Sequence, residues 1–243
     1  MAVSTQFIRE IVATQASAAA VLQRFEIDLC KHANEPLAEA CATLQLSVDQ
    51  VLEKLADAET DEAGAQRANP EALPTGRLIQ HIVRVHHQRV RQELPRLAGV
   101  AQKLAGQYGN HAPELGIIET LIEQLRTEMF AHIQKEEQIL FPFISQMDEE
   151  MLGAGSPAQA CFRSMAQPIF MMMREHDEAN AIVAELRRIT GGFEPPEWAC
   201  ATHIAFYVGL RAFEADLKQH VHLENDVLFP RATELESHLS ERG

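Results

Sequence analysis

The chain has 243 residues, and 46% of them are hydrophobic, which predicts a folded protein and excludes an intrinsically disordered one. Its 21 lysines and arginines against 35 aspartates and glutamates give a formal net charge of −14, which disfavours nucleic-acid binding because phosphate contacts need a basic face. The sequence shows neither the apolar run of a membrane-spanning helix nor the apolar core of a signal peptide. We therefore expect a cytoplasmic protein without nucleic-acid or membrane partners.

Residues 1–57 predict a small helical N-terminal domain. Its helical patterns include SAAAVLQRF and SVDQVLEKLA, and Ser47 with Gln50 forms a candidate capping box for the second of these. A domain of this size is only marginally stable alone, so we expect it to dock onto the rest of the chain or to form a homodimer. Residues 58–76 are polar and contain proline and glycine, and they predict a linker.

Residues 77–243 predict a four-helix bundle. Helical periodicity dominates this part of the chain, and a loop is expected at 145–159 because that stretch is polar and contains glycine and proline. Four antiparallel helices joined by short loops form a bundle. The expected helical segments are roughly 76–107, 112–146, 168–189 and 196–231. The predicted fold class is therefore all-α, with a four-helix bundle after a small helical domain.

One motif occurs twice in the bundle. The segments HIQKEEQILFP (132–142) and HVHLENDVLFP (220–230) share the pattern H-x-x-x-E-x-x-[IV]-L-F-P. The i, i+4 spacing puts each histidine and glutamate on one helix face, about 6 Å apart along the axis. The Phe-Pro pair that closes each copy is expected to end its helix.

The other two bundle helices each place one histidine in their apolar stripe, at His87 and His176. From His87 to His132 is 45 residues, and from His176 to His220 is 44, which indicates a duplicated helical hairpin. Four histidines and two glutamates are thus predicted to face one interior: His87, His132, Glu136, His176, His220 and Glu224.

Such polar groups cost several kcal/mol each when they are buried without partners. Either a fully hydrogen-bonded His–Glu network or bound metal can satisfy them. Six such residues in two copies favour metal over an inert network. Two histidines and a carboxylate per half would give three protein ligands per ion, with both carboxylates free to bridge. Imidazole with carboxylate suits iron, manganese or zinc. Two ions with open positions indicate binding of a small diatomic molecule or redox chemistry.

Two further glutamates are candidates for contacts behind these ligands. Glu128 lies one helical turn before His132, and Glu175 directly precedes His176. Either carboxylate could orient an imidazole or relay a proton. For Glu175, a solvated surface position is an equally good interpretation.

The segments VHHQRVRQELPRL, HIQKEEQILFP, REHDEA and HVHLENDVLFPRA resemble the hemerythrin-like domain of the bacterial iron–sulfur cluster repair proteins, the RIC or ScdA family. The resemblance extends from about Ala13 to Ala232. It implies two non-haem iron ions held by four histidines and two bridging glutamates, which fall on the six residues named above. It also implies a role in nitrosative and oxidative stress, with nitric oxide or oxygen as the small ligand and iron–sulfur proteins as clients.

The N-terminal domain departs from the family pattern. That family usually has adjacent cysteines there, whereas this chain reads DLCKHAN, with Cys30 followed by Lys31. Cys30 is therefore a candidate thiol without a neighbouring partner. It could form a small site with His32 and Cys41, although a buried structural cysteine is the better interpretation.

Several functions stay open at this point. The first is assistance in iron–sulfur cluster repair. A second is a non-catalytic buffer or sensor of nitric oxide or oxygen, which the missing second cysteine favours. A nitric oxide reductase or peroxidase is a third, so whether the protein is an enzyme is undecided. The fourth interpretation is an inert structural bundle, in which His132→Ala would leave the metal content unchanged.

Overall fold

Helices dominate the computed structural model, which describes residues 3–29, 31–67, 69–153 and 164–242. Within these ranges, β structure is limited to an isolated bridge between Phe7 and Pro36. The predicted all-α class is confirmed. No helix in these ranges is long and apolar enough to cross a membrane.

Four helices form the N-terminal part: α1 (Ile8–Thr14), α2 (Ala18–Arg24), α3 (Leu37–Thr43) and α4 (Val48–Arg67). Their apolar faces pack into one core that includes the fully buried Ile8 and Leu22. Ala201 and Ala205 of a later helix belong to the same core. The N-terminal helices therefore dock onto another part of the chain. Docking is one of the two ways in which a domain of this size was expected to gain stability.

The stretch predicted as a linker is helical in its first half. Helix α4 continues to Arg67, and a 3-10 turn follows at Pro70–Ala72. The residues from 58 to 67 contain no proline, and half of them are alanine or glutamate, which are good helix formers, so their polarity does not end the helix. The domain bounds 1–57 and 77–243 stay a prediction.

Four long helical segments follow, and three of them contain a π-helical turn. The first is α5 (Thr75–Ile82), a π turn (Val83–His87) and α6 (Gln88–Tyr108). The second is α7 (Glu114–Lys135), a π turn (Glu136–Leu140) and α8 (Phe141–Met151). The third is α9 (Ala166–Ile189), and the fourth is α10 (Ala201–His222), a π turn (Leu223–Leu228) and α11 (Phe229–Arg242).

The Phe-Pro pairs do not end their helices, so that prediction was wrong. A π turn directly precedes each pair, and the helix continues to Met151 in the second segment and to Arg242 in the fourth. A π turn adds a residue to the hydrogen-bond ladder. The missing N–H of Pro142 or Pro230 can be tolerated at such a break in the ladder. The loop expected from residue 145 begins only after Met151, and residues 154–159 lie outside the described ranges.

By internal contacts the chain divides into two compact units. One comprises Met1–Ala68, Pro95–Thr120 and Leu186–Glu214, and the other Asn69–Leu94, Leu121–Glu185 and Ala215–Gly243. The second unit has an apolar core of its own, which includes Leu78, Ile82 and Ile144. All six residues predicted to bind metal lie in this second unit.

His203, in the first unit, is a buried histidine. Its side chain is 1% exposed, and neither ring nitrogen has a hydrogen bond to any described residue. The ring packs against Trp198 and Tyr207, with centroid distances of 5.2 and 4.8 Å. Burial lowers the pKa of His203.

We expect His203→Phe to raise the free energy of unfolding by about 1–3 kcal/mol, because it removes unsatisfied buried polar atoms and keeps an aromatic ring. Since the folded state disfavours the proton, His203 costs more stability as the pH falls below its ordinary pKa of about 6.5. The gain should therefore be larger at acidic pH than at neutral pH in urea unfolding. His238→Phe on the exposed surface is the control, and an equal gain there would contradict the explanation.

Candidate metal centre

The structure brings the six predicted residues together in the interior. Five have 0% exposed surface and the sixth, His132, has 1%. His132, His176 and His220 lie on α7, α9 and α10. The other three, His87, Glu136 and Glu224, lie in the three π turns. Each π turn thus contributes one side chain to the centre, in line with the frequent occurrence of such turns at functional sites.

The four imidazoles direct Nε2 at the two carboxylates. His87 Nε2 lies 3.3 Å from Glu136 Oε2 and 3.6 Å from Glu224 Oε1. His132 Nε2 lies 3.3 Å from Glu136 Oε2.

On the other carboxylate, the Nε2 atoms of His176 and His220 each lie 2.9 Å from Glu224, on Oε2 and Oε1 respectively. His132 Nε2 and His176 Nε2 are 3.0 Å apart.

These atoms form two overlapping groups of potential ligands, in each of which every atom lies within 4.8 Å of the others. We call them position A (His87, His220 and both glutamates) and position B (His132, His176 and both glutamates). Glu136 and Glu224 belong to both positions. Each position therefore combines two imidazole nitrogens with two shared carboxylates, a donor set that suits a divalent transition-metal ion.

The unsatisfied atoms of the centre also fit a cation. Both oxygens of Glu136, Oε2 of Glu224 and Nε2 of His87 are buried without a hydrogen bond among the described residues. A buried carboxylate without such bonds is costly. An inert hydrogen-bonded network would have to satisfy these atoms, so their orphaned lone pairs favour a cation instead.

Charges in the centre compensate one another in the absence of metal. Burial alone would raise the pKa of Glu224, but the nearby His220 and hydrogen bonds from histidines lower it well below its ordinary value. Burial alone would lower the pKa of His87, but the nearby carboxylates of Glu136 and Glu224 raise it to about 10. The pKa of His176 is raised against burial by Glu224 as well. The raised pKa values of His87 and His176 thus favour protonated imidazoles beside the carboxylate of Glu224.

Two imidazoles are held from behind by carboxylates. His87 Nδ1 lies 2.7 Å from Glu137 Oε1, and Arg91 donates to the other oxygen of Glu137. His132 Nδ1 lies 3.0 Å from Glu175 Oε2, and Lys135 donates to Glu175. The hydrogen bond to His132 contributes most to lowering the pKa of Glu175 to about 2. Each carboxylate therefore joins an imidazole to a surface cation.

The two remaining imidazoles are held differently. His176 Nδ1 lies 2.9 Å from Asn225 Oδ1. His220 Nδ1 has no partner among the described residues. Its ring instead stacks on His86, with centroids 5.6 Å apart and ring planes 6° apart. His86 Nδ1 in turn lies 3.0 Å from Asp216 Oδ1.

Of the two glutamates expected behind the ligands, the structure brings only Glu175 to an imidazole. Glu128 instead accepts a hydrogen bond from Gln124 on its own helix, and it is not among the partners of His132. Cys30 lies outside the described residues. The sequence reasoning missed Glu137 and Asn225, although each directly follows a predicted ligand.

The phenylalanines of the repeated motif cover the centre. Phe141 stacks on His87 at 5.6 Å and 16° between planes, and Phe229 stacks on His176 at 6.2 Å and 6°. Both side chains are 2% exposed. The Phe-Pro pairs therefore place an apolar ring against one histidine in each half of the centre.

Comparison with known families adds two matches. Residues 78–232 match the sequence model described as "Hemerythrin HHE cation binding domain". Residues 4–59 match a second model, ScdA_N, described as a domain of unknown function. The first match includes all six residues of the centre.

Relatives that match almost the full length of the chain share one name. The chain is 33% identical over 234 residues to an iron-sulfur cluster repair protein YtfE of Enterobacter sp. (strain 638), covering 96% of this chain and 98% of that protein. It is 33% identical over 235 residues, with the same coverage, to proteins of that name from Escherichia coli O1:K1 and Escherichia fergusonii.

Proposed function

The chain belongs to the family of the iron–sulfur cluster repair proteins with a hemerythrin HHE cation-binding domain, and from this premise we propose that it is a di-iron protein that assists the repair of iron–sulfur clusters damaged by nitrosative or oxidative stress. The main structural support is the pair of buried carboxylates, Glu136 and Glu224, that four imidazoles share. Their unsatisfied oxygens fit bridging between two ions.

In this proposal His87 and His220 would hold one iron ion, and His132 and His176 would hold the other. When bound, the two ions would supply a change of oxidation state and open positions for nitric oxide or oxygen. The buried rings of Phe141 and Phe229 keep water from the imidazoles they cover, and a dry surrounding strengthens each electrostatic contact.

The partners behind the imidazoles fix their orientation. An Nδ1–H donated to Glu137, Glu175 or Asn225 leaves the Nε2 lone pair free and pointed at the centre. The two carboxylates also increase the basicity of the imidazoles they accept from. Iron–sulfur client proteins and a cytoplasmic location belong to the same proposal.

The test is metal analysis followed by titration with nitric oxide on one anaerobic sample. About two iron atoms per chain are expected after loading, with loss of iron in His132→Ala. His222→Ala is the matched control, because His222 is an exposed histidine two residues from His220 whose ring nitrogens contact Asp226 and Glu71. Less than one iron per chain, or unchanged iron in His132→Ala, would contradict the proposal.

A second function, a nitric oxide buffer or sensor, is favoured by one observation. Lys31 stands where the family usually has the second of two adjacent cysteines, so exchange between neighbouring thiols is unavailable. Stoichiometric nitrosyl formation without turnover would support the buffer, and release of nitrous oxide would support a reductase. Recovery of activity in an enzyme with a nitric-oxide-damaged cluster, after addition of the loaded protein, would support repair.

A further inference from the structure

The two metal positions differ in how their histidines are held. Each position has one histidine backed by a carboxylate: His87 by Glu137 in position A, and His132 by Glu175 in position B. In both contacts the carboxylate also pairs with a cationic side chain: Glu137 with Arg91, and Glu175 with Lys135. The hydrogen bonds at Nδ1 differ between the positions at the second histidine of each.

The second histidines are not matched. In position B, His176 Nδ1 has the amide oxygen of Asn225 at 2.9 Å. In position A, His220 Nδ1 is buried and has no hydrogen-bond partner among the described residues. A hydrogen bond at Nδ1 fixes the rotation of an imidazole about its bond to the chain and selects the tautomer that leaves Nε2 free. His220 lacks that constraint.

Stacking on His86 supplies a different constraint. The two rings are nearly parallel, 6° apart, and His86 is itself held by the buried carboxylate of Asp216. A stacked ring opposes rotation of the His220 imidazole about its bond to the chain, but it accepts no hydrogen bond from Nδ1 and does not select the tautomer. His86 is therefore a positioning residue for His220, and a weaker one than a hydrogen-bond partner.

From this difference, and resting on the proposed two-ion centre, we infer that position A binds metal more weakly than position B and exchanges its ion first. Loss of one hydrogen-bond partner behind a metal-binding histidine typically lowers affinity about 10–100-fold, which sets the expected ratio. One ion can then exchange with solution while the other stays bound between His132 and His176. The centre would have a labile half and a retained half.

Cobalt(II) is a suitable probe, because its visible absorption reports on its coordination. Metal-free protein titrated anaerobically with Co²⁺ against a competing chelator should bind two ions in two steps, about 10–100-fold apart in affinity. Equal positions that share carboxylates could also fill in two steps, through charge repulsion. Variants specific to each position therefore decide which position fills in which step.

For position B, Asn225→Ala should weaken only the tighter step, about tenfold or more, so that the two steps converge. Glu175→Gln is a second variant for the same position and should act in the same direction. For position A, His86→Ala should weaken the looser step and alter its Co²⁺ spectrum. His86→Phe, which keeps a stacked ring, should restore much of that loss.

The reverse pattern overturns the inference: Asn225→Ala and Glu175→Gln acting on the looser step, or His86→Ala acting on the tighter one. The inference is also overturned if Asn225→Ala, Glu175→Gln and His86→Ala all leave the Co²⁺ affinities of both steps unchanged. Binding of one Co²⁺ in total contradicts the two-ion proposal, which is a separate failure because the variants then have no second step to move. Circular dichroism of each variant checks that it folds.

Discussion

Replacing Glu224 by alanine is expected to abolish the binding of both metal ions. Glu224 contributes to position A and to position B, and its oxygens lie within 3.6 Å of Nε2 of His87, His176 and His220. Even the loss of a residue behind a ligand lowers metal affinity about 10–100-fold. Loss of a shared ligand should therefore cost each ion more than about 100-fold, enough to leave the dialysed protein without metal.

Neighbouring glutamates provide graded controls for this variant. Glu137→Ala removes only the partner of His87 Nδ1, so it should weaken position A by about 10–100-fold and leave position B intact. The carboxylate of Glu128 accepts a hydrogen bond from Gln124, so Glu128→Ala should change the metal affinity of neither position. Metal content after dialysis, measured by mass spectrometry, distinguishes the three. Retention of both ions in Glu224→Ala would contradict the assignment of Glu224 as a shared ligand.

The six central residues were predictable because helix geometry is periodic. Side chains that recur every three or four residues share a face, so His132 and Glu136 could be assigned to the interior from spacing alone. The lone histidines His87 and His176 followed from the apolar stripes in which they lie. The 45- and 44-residue spacings then paired them with the repeated motif.

The sequence reasoning failed where that period is broken. A π turn adds one residue, and an extra residue rotates the next part of the helix by about 100° relative to an unbroken α-helix. Glu137 is one such case: it lies beside the ligand Glu136 and still reaches an imidazole. His86 is another, because it is buried next to His87 although adjacent residues on an ideal helix face different directions. Each Phe-Pro pair directly follows a π turn, at Leu140 and at Leu228, so its proline lies at a break in the ladder and does not end the helix.

Partner identity could not be predicted for a different reason. Whether His220 Nδ1 has a hydrogen bond depends on the side chains that other helices bring to it, and their positions are fixed by packing between helices. The sequence places Asn225 directly after Glu224 in the same way that it places Glu137 after Glu136. Nothing in the spacing shows that Asn225 contacts His176 while Nδ1 of His220 has no hydrogen-bond partner among the described residues.

The metal-free protein is expected to lose stability as the pH rises from about 6.5 towards 10, whereas the metal-loaded protein is not. In the folded metal-free chain, the pKa of His87 is raised to about 10 by Glu136 and Glu224 against the effect of burial. The ordinary value is about 6.5. Between these values the folded state binds more protons than the unfolded state, so the free energy of unfolding falls with increasing pH. The full loss is on the order of 5 kcal/mol.

Metal replaces those protons as the counter-charge of the two carboxylates. Its binding should therefore release protons and strengthen by up to about tenfold per pH unit for each proton displaced. Each ion at about 100 times its dissociation constant adds about 2.7 kcal/mol of stability. Urea unfolding of metal-free and Zn²⁺-loaded protein at about pH 6.5, 8 and 9 gives the comparison. The gap in the free energy of unfolding should widen with pH, and it should widen less in His87→Gln, which has no imidazole to titrate. Parallel pH dependences for the two forms would show that His87 does not hold the compensating proton.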